Sequence, residues 1–314
     1  MYFVGIDGGG TKTRASAYRG GAMISSFSAG PMNYNFIPES EALENLISAV
    51  RGLRIPMDEI AAVGIGDPSI DDSLSGSGEG ASRFYNSLRR ELSCPVYVRS
   101  DAYMSLIGLT GGDGPGVSVI SGTGAMAIAC RESGEVRVAG GWGRLTGDEG
   151  GGYYIALGGI KAALMAADGI SPKTALTGAL MSYFGVSEPR KLINVFYGAE
   201  PPDIAGFSAE VAACAESGDA AAKEILKKAA RYLSSYAVTL AQWCGSRRIG
   251  IYGSVLRKNM IVREEFESLV RQRLGKAEII LPTVPPEEAA AKYASRMLDE
   301  DAKRNRGGDI TASS

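Results

Sequence analysis

The sequence contains no histidine among its 314 residues. That absence excludes Ser-His-Asp and Cys-His catalysis, histidine proton relays and most zinc enzymes, because each of them needs an imidazole. A general base must therefore be a carboxylate, a lysine, a tyrosine or a cysteine. Cysteine is also scarce, and the four residues Cys94, Cys130, Cys214 and Cys244 form no CxxC pair. Structural zinc, an iron–sulfur cluster within one chain and a disulfide framework are therefore unexpected, and we interpret these cysteines as small buried apolar residues.

Neither an excess of one charge nor a long apolar segment is present. The 33 basic side chains nearly balance 35 acidic ones, so the formal net charge of -2 gives no general attraction to nucleic acid or an anionic membrane. No apolar run approaches the ~18 residues that a membrane span needs. Residues 1–7 also lack the basic and then apolar pattern of a signal peptide. We therefore expect a cytoplasmic protein without a nucleic-acid or membrane partner.

Glycine, by contrast, is abundant. The 42 glycines cluster in a few loops, and glycine is the residue that lets a backbone approach a ligand closely. With 45% hydrophobic residues, the chain has enough apolar side chains for one large domain or two medium ones with buried cores. The glycine loops are therefore the first candidates for a functional role.

A pattern of strand, turn, strand, turn and strand occurs twice. Strands are predicted at 2–6, 12–19 and 22–28 in the first copy, and at 116–120, 125–130 and 136–139 in the second. In the first copy Asp7 and Gly8-Gly9-Gly10-Thr11 follow the first strand, and in the second copy Ser121-Gly122-Thr123-Gly124 does. An internal repeat of this size predicts two related halves, each of which opens with an antiparallel meander.

The remaining pattern alternates helices with strands. Helices are predicted at 39–51, 82–92, 102–109, 153–167, 219–244, 262–274 and 287–304, and strands at 60–66, 95–99, 248–252 and 278–281. Residues 171–203 are predicted to form short helices and loops. The breaker cluster at 111–115 predicts a boundary between an N-terminal domain at 1–112 and a C-terminal domain at 113–314. The last helix, at about 287–304, is a candidate to pack back on the N-terminal domain. Two mixed α/β domains with a cleft between them would place a ligand in that cleft.

The two glycine turns are candidates for phosphate binding. Successive backbone N–H groups in Gly8-Gly9-Gly10 can point at one anion, and Thr11 can add a hydroxyl donor. A Walker A loop needs GK[ST] before a helix, but Thr11 stands before Lys12 and a strand follows. A dinucleotide fingerprint also needs a helix next. A plain hairpin turn remains the alternative for each loop, and a matching turn at 121–124 favours two loops that grip one polyphosphate.

Three polar residues at strand ends or in turns could act on a ligand. The carboxylate of Asp7 could hold Mg2+ through water, or it could brace its turn through an Asx hydrogen bond. Asp101 lies between a strand and a helix, so it is either an N-cap or a general base. The amide of Asn33 could bind sugar hydroxyls or only stabilise its turn.

Two later glycine segments are further candidates. In the loop at 140–152, Asp148 could accept hydrogen bonds from a polyol or cap the next helix, and Trp142 could pack on a ring face or in the core. The turn Gly253-Ser254 ends a late strand and could approach a flat adenine closely, or it could be an ordinary βα turn.

Together these residues resemble the N-acetylglucosamine kinase family, which is related to benzoyl-CoA reductase activator ATPases within the actin-like ATPase and sugar kinase superfamily. The resemblance rests on Gly5-Ile6-Asp7-Gly8-Gly9-Gly10-Thr11-Lys12-Thr13, Ser100-Asp101-Ala102, Ser121-Gly122-Thr123-Gly124, Gly140-Gly141-Trp142-Gly143, Gly147-Asp148-Glu149-Gly150 and Gly253-Ser254-Val255. These motifs occur along this sequence in the same order as in members of the family. The resemblance implies an α/β fold of two ribonuclease H-like domains that close over a sugar and ATP.

The resemblance also implies a role for each matched position. ATP would be held by Gly9, Gly10, Thr11 and Lys12 of the first phosphate motif, by Gly122, Thr123 and Gly124 of the second, and by Gly253 and Ser254 of the adenosine motif. The sugar would be bound by Asn33, Asp101, Ala125, Met126, Gly141, Trp142, Gly143 and Asp148. Asp101 would be the catalytic base and Asp7 would organise Mg2+. The expected partners are ATP, a small-molecule sugar and a second copy in a homodimer.

The activity implied is phosphorylation of the 6-hydroxyl of an N-acetylhexosamine or a related hexose. Some members have Ser-Asn where this chain has Ala125-Met126, so the sugar stays open between N-acetylglucosamine, N-acetylmannosamine, glucosamine and plain hexoses. Two other functions compete with this one, and the first of them belongs to the same superfamily. An ATPase activator of a radical dehydratase would need close cysteines for an iron–sulfur cluster. A non-catalytic sugar-binding regulator would not need Asp101 and both phosphate loops.

Overall fold

The computed structural model describes residues 1–72, 79–112, 114–199 and 202–308. The strands are β1 (Tyr2–Gly8), β2 (Thr13–Arg19), β3 (Ala22–Ala29), β4 (Ile60–Gly66), β5 (Val96–Arg99), β6 (Gly116–Ser121), β7 (Ala125–Cys130), β8 (Val136–Gly140), β9 (Arg248–Tyr252) and β10 (Glu278–Ile280). The helices are α1 (Glu39–Arg51), α2 (Glu79–Leu92), α3 (Asp101–Thr110), α4 (Gly152–Ala167), α5 (Leu176–Tyr183), α6 (Leu192–Phe196), α7 (Ser208–Glu216), α8 (Ala220–Cys244), α9 (Ser254–Lys258), α10 (Met260–Leu274) and α11 (Pro286–Gly308).

These elements form two compact units. The first comprises Met1–Gly116, Cys130–Arg137 and Pro282–Ser314, and the second comprises Val117–Ala129 and Val138–Leu281. The predicted boundary between 112 and 113 adjoins residue 113, which lies outside the described residues. The limits 1–112 and 113–314 stay a prediction.

The first unit is built on a five-stranded sheet in the order β3-β2-β1-β4-β5. Strands β1, β2 and β3 form the predicted antiparallel meander, and β4 and β5 run parallel to β1. A core of buried aliphatic side chains from the sheet and from α1 and α2 fills one face. Because β1, β4 and β5 are parallel, their carboxyl ends lie at one edge of the sheet.

Helix α11 packs against β1 and β4 of this sheet, and two glycines allow it to come close. A β-carbon at Gly5 would overlap the carbonyl oxygen of Glu287, and one at Gly64 would overlap that of Ala290. The absence of these side chains therefore lets the helix backbone lie directly on the strands. The first turn of α11 is thereby held next to β1.

The second unit repeats the arrangement with its own sheet, in the order β10-β9-β6-β7-β8. Strand β9 pairs in parallel with both β6 and β10. The long helix α8 packs against α4, α7 and α10, and its apolar side chains form much of the core. In both sheets the first strand of the meander lies beside a later parallel strand, so the repeat seen in the sequence is also a repeat of topology.

Several sequence expectations need correction. Helices α7 and α9 were not predicted, and α2 begins earlier than the predicted residue 82. None of the four cysteines forms a disulfide, but only Cys214 and Cys244 are buried, whereas Cys94 and Cys130 are half-buried. Within the ranges that the structure covers, no helix combines the length and hydropathy that a membrane crossing requires.

Candidate functional site

Acidic side chains follow all three parallel strands of the first unit. Asp7 is the last residue but one of β1, Asp67 comes directly after β4, and Asp101 is the first residue of α3 after β5. The strand register pairs Asp7 with Gly66 and Gly66 with Arg99. The three carboxylates therefore lie at the same edge of the sheet.

Asp101 is not the N-cap of its helix. Ser100 takes that position, and its hydroxyl accepts a hydrogen bond of 2.9 Å from the Tyr103 N–H. Asp72 in turn accepts a 3.0 Å hydrogen bond from the Ser100 N–H. The capping alternative for Asp101 is therefore wrong, and its carboxylate accepts from the neighbouring Ala102 N–H, at 2.7 Å, and from its own backbone N–H.

The surroundings of Asp101 increase its affinity for a proton. Burial raises its pKa most; the Ala102 N–H opposes this, and the charges of Asp67 and Asp72 raise it further. A carboxylate with a raised pKa is a stronger base than one with an ordinary pKa. This environment suits a group that must accept a proton from an alcohol.

Asp7 lies in a similarly acidic environment. Burial, followed by the charges of Glu287 and Asp101, raises the pKa of Asp7 to about 6. Glu287, in the first turn of α11, has a side chain only 7% exposed and pairs with Arg14 at 3.2 Å. Sequence reasoning missed Glu287 because it is far from Asp7 in the chain, and no local pattern marks it.

Carboxylate oxygens close to one turn suit a hard cation such as Mg2+. Asp7 lies directly before the glycine turn, so it is the residue that would hold such an ion beside a bound phosphate. The described residues contain no compact cluster of three or more His, Cys, Asp or Glu that could hold a metal alone. A cation here would therefore need oxygens from a ligand or from water.

The raised pKa of Asp7 predicts how stability depends on pH without metal or nucleotide. The folded protein binds this proton more tightly than the unfolded chain, so the free energy of unfolding falls as the pH rises from about 4 to about 6. In EDTA, Asp7→Asn should therefore be more stable than wild type by about 1–3 kcal/mol at about pH 7.5, and equal to it at about pH 4. Urea denaturation at several pH values measures this difference. Asp58→Asn, an exposed control, should show none; an unchanged pH dependence in Asp7→Asn would contradict the argument.

The first glycine turn leaves its outer part open. A β-carbon at Gly8 would overlap the Met32 side chain, and the Met32 N–H donates to the Gly9 oxygen at 3.2 Å. Gly10 has no atom within 4 Å of the position of its missing β-carbon, and Thr11 and Lys12 are exposed. The base of the turn is thus packed, while its tip is accessible to a ligand.

The second turn is braced by the start of α4. Gly122 accepts a hydrogen bond of 2.7 Å from the Gly152 N–H, and Thr123 accepts one of 2.9 Å from the Tyr153 N–H. Gly124 accepts another from the Gly122 N–H at 3.0 Å. These bonds hold the turn rigidly, and the Thr123 side chain remains exposed.

Gly253 brings the end of β9 against this second turn. Its φ of 84° and ψ of 162° are open almost only to glycine. A β-carbon there would overlap the Ser121 oxygen and the Gly122 nitrogen. The predicted adenosine turn and the predicted second phosphate turn are therefore in direct contact.

A cavity of about 380 Å³ opens beside this contact. It is lined by Ile155, Ser208, Ala209, Ala212, Ala213, Glu216, Ser254, Val255, Lys258 and Asn259. Sequence reasoning found only Ser254 of these residues. The residues of α7 among them recur with spacings of three and four, which is the signal that could have identified a helix face here.

The loop after β8 gathers most of the predicted sugar residues of the second unit. Asp148 accepts a hydrogen bond of 3.2 Å from the Gly143 N–H and another from the Ala125 N–H. The Gly141 N–H donates to the Ala125 oxygen at 3.0 Å, and Gly141 lies over the Met126 side chain. Burial raises the pKa of Asp148, and its φ of 57° is unusual for a residue other than glycine.

Trp142 and Asn33 occupy contrasting environments. Trp142 is 77% exposed, so the alternative that placed it in the core is wrong. Asn33 lies in the first unit and is buried, with 8% exposure. Its Oδ1 atom accepts hydrogen bonds of 3.1 Å from both the Asn35 N–H and the Ser69 hydroxyl.

The chain is similar to known proteins over most of its length. Residues 4–294 match the family model described as the BadF/BadG/BcrA/BcrD ATPase family. The N-acetylmuramic acid/N-acetylglucosamine kinase of Clostridium acetobutylicum is 32% identical over 293 residues, which cover 89% of this chain and 93% of that protein. The N-acetyl-D-glucosamine kinase of Dictyostelium discoideum is 28% identical over 313 residues, which cover 93% of this chain and 97% of that protein.

Solved structures share the fold. A structure from Chromobacterium violaceum matches with a TM-score of 0.70 and 22% identity, covering 92% of this chain and 97% of that one. Another match is a ROK family glucokinase from Streptomyces griseus, solved with glucose and AMPPNP. Its TM-score is 0.61 and its identity 17%, and the match covers 94% of this chain and 98% of that one. The predicted class, α/β with two ribonuclease H-like domains of the actin-like ATPase type, is confirmed.

Proposed function

Because the chain belongs to the BadF/BadG/BcrA/BcrD ATPase family, we propose that it is a sugar kinase. It transfers the γ-phosphoryl group of ATP to the 6-hydroxyl of an N-acetylhexosamine or a related hexose. The kinase names of the relatives support this assignment. The observation that carries the mechanism is Asp101, a carboxylate of raised pKa that does not cap its helix and shares a sheet edge with Asp7.

ATP binds with its adenosine in the cavity beside Ser254. The contact between Gly253 and the second turn supports this placement, because a nucleotide whose base lies in the cavity has its phosphates next to Gly122, Thr123 and Gly124. Backbone N–H groups of such a turn bind phosphate oxygens. In the first turn, Gly9, Gly10, Thr11 and Lys12 also bind the polyphosphate.

Asp7 would hold Mg2+, and the bound cation would supply positive charge to the phosphates. The lysine side chain of Lys12 and the hydroxyls of Thr11 and Thr123 are exposed and able to add to this charge balance. Phosphoryl transfer depends mainly on positioning and on electrostatic stabilisation of the equatorial oxygens. The two turns provide both, since their backbones are held by packing and hydrogen bonds.

Asp101 accepts the proton of the sugar 6-hydroxyl as its oxygen attacks the γ-phosphorus in line. Asn33 and Asp148 bind other hydroxyls of the sugar, with backbone from Gly141 and Gly143 and the ring of Trp142 beside them. The exposed Trp142 side chain gains apolar contact when a sugar ring packs on it. Ala125 and Met126 lie under this loop and shape the site for the C2 substituent.

The test is an assay of ADP formation against N-acetylglucosamine, N-acetylmannosamine, N-acetylmuramic acid, glucosamine and glucose. We expect sugar-dependent turnover with an N-acetylhexosamine, a phosphorus signal coupled to the C6 protons of the product, and no turnover with a 6-deoxy analogue. ADP formation at an equal rate without sugar would favour the dehydratase activator instead. Sugar binding without any turnover would favour the regulator.

A further inference from the structure

Asp67 is a buried acceptor for which the proposed mechanism has no use. Its side chain is fully buried. Its Oδ1 atom accepts a hydrogen bond of 2.8 Å from the Ser69 N–H, and its Oδ2 atom accepts one from the Tyr85 hydroxyl. The Tyr34 hydroxyl also donates to it. Three donors therefore converge on one carboxylate directly after β4.

This network determines the position of Ser69. The Asp67 carboxylate holds the Ser69 backbone in a tight turn, and the Ser69 hydroxyl then reaches the Asn33 Oδ1 atom at 3.1 Å. Tyr34, the neighbour of Asn33, is tied to the same carboxylate. Both segments that carry the contact are thus anchored on Asp67.

The direction of the Asn33 amide follows from its partners. The Asn35 N–H can only donate, so the atom that faces it at 3.1 Å must be the side-chain oxygen. The Ser69 hydroxyl donates to the same oxygen. In the described part of the chain, Asn33 Nδ2 has no hydrogen-bond partner, so its two N–H donors are left for a ligand.

We propose that Asp67 and Ser69 are positioning residues that fix the amide of Asn33, so that Asn33 presents only N–H donors to a hydroxyl oxygen of the sugar. This inference rests on the proposed function. The inference assigns a direction to the hydrogen bond between Asn33 and the sugar: the Asn33 amide donates and the sugar hydroxyl accepts. It also explains why a buried carboxylate and two tyrosines lie behind a turn that a simple Asx motif would already stabilise.

A double-mutant cycle with Ser69→Ala and Asn33→Ala tests the inference. Loss of one neutral hydrogen bond should raise the KM for the sugar about 2- to 12-fold in Ser69→Ala, with the KM for ATP unchanged. Asn33→Ala should raise the sugar KM at least as much. The double variant should equal Asn33→Ala, because Ser69 then has nothing left to position.

Two further variants complete the experiment. Ser87→Ala on α2 removes a hydroxyl that donates to the Arg83 carbonyl at 3.2 Å and accepts from the Arg90 guanidinium at 3.1 Å, both within its own helix, and should leave every constant unchanged. Asp67→Asn, which keeps the side-chain volume, should raise the sugar KM and leave the KM for ATP unchanged. Independent effects of Ser69→Ala and Asn33→Ala, or an unchanged sugar KM in Ser69→Ala, would overturn this inference alone. A wild type without sugar-dependent turnover would overturn the proposed function, and this inference with it.

Discussion

Asp101→Asn is expected to retain the fold and the affinity for the sugar and to lose about 10²–10⁴-fold of kcat. The amide has the same size as the carboxylate and can still accept the Ala102 N–H bond. Ser100, rather than Asp101, caps α3, so the helix keeps its N-terminus. What the Asp101→Asn variant loses is the ability to accept the proton of the attacking hydroxyl.

The measurement is steady-state kinetics with sugar and ATP varied separately, together with thermal denaturation. Asp58→Asn makes the same chemical change at an exposed position and should keep wild-type kcat. A folded Asp101→Asn variant with nearly normal kcat would remove Asp101 from the role of general base. A large increase in sugar KM at constant kcat would assign it to binding only.

Gly253→Ala is expected to have the second largest effect, because it combines backbone strain with steric overlap. The dihedral angles of Gly253 lie in a region that costs other residues about 1–3 kcal/mol. The new methyl group would also meet the Ser121 oxygen and the Gly122 nitrogen, so the second phosphate turn must move. We expect the KM for ATP to rise about tenfold or more, which corresponds to about 1.4 kcal/mol of lost binding.

Gly245→Ala is the matched control. Gly245 ends α8 in the left-handed region with a φ of 72°, but nothing lies within 4 Å of the position of its missing β-carbon. This variant should lose about 1–2 kcal/mol of stability through its dihedral angles alone and keep the KM for ATP. If Gly253→Ala changes stability like the control and leaves nucleotide affinity intact, then the contact between β9 and the second turn does not position ATP.

Local signals in the sequence were sufficient for the repeated core of the fold. Alternating or continuous apolar runs predicted all ten strands, and the structure confirms them, with ends shifted by a residue or two. Strand pairing in a meander is local, because each glycine turn joins neighbours in the chain. Long helices were equally visible, because α1 and α8 carry many favourable helix formers. Short α9 was not predicted, since five residues make too weak a periodic signal.

Side chains that matter through contacts between distant segments could not be identified this way. Glu287 raises the pKa of Asp7 only because α11 packs on β1 over Gly5. Asp67 was overlooked because an acidic residue after a strand is ordinary until its three buried donors are known. The contribution of α7 to the cavity also depends on packing that no nearby residue in the chain reveals.

The sequence by itself determined the pair of meanders, the glycine turns after β1 and β6 and the acidic residues at strand ends, since these depend on periodicity and turn chemistry within a few residues. Only the tertiary structure decided which carboxylates interact with one another, that Ser100 rather than Asp101 caps α3, and which way the Asn33 amide points. The physical reason is that burial and hydrogen-bond direction depend on neighbours supplied by other segments. Proton affinity and donor orientation are therefore properties of the packed molecule and not of the local chain.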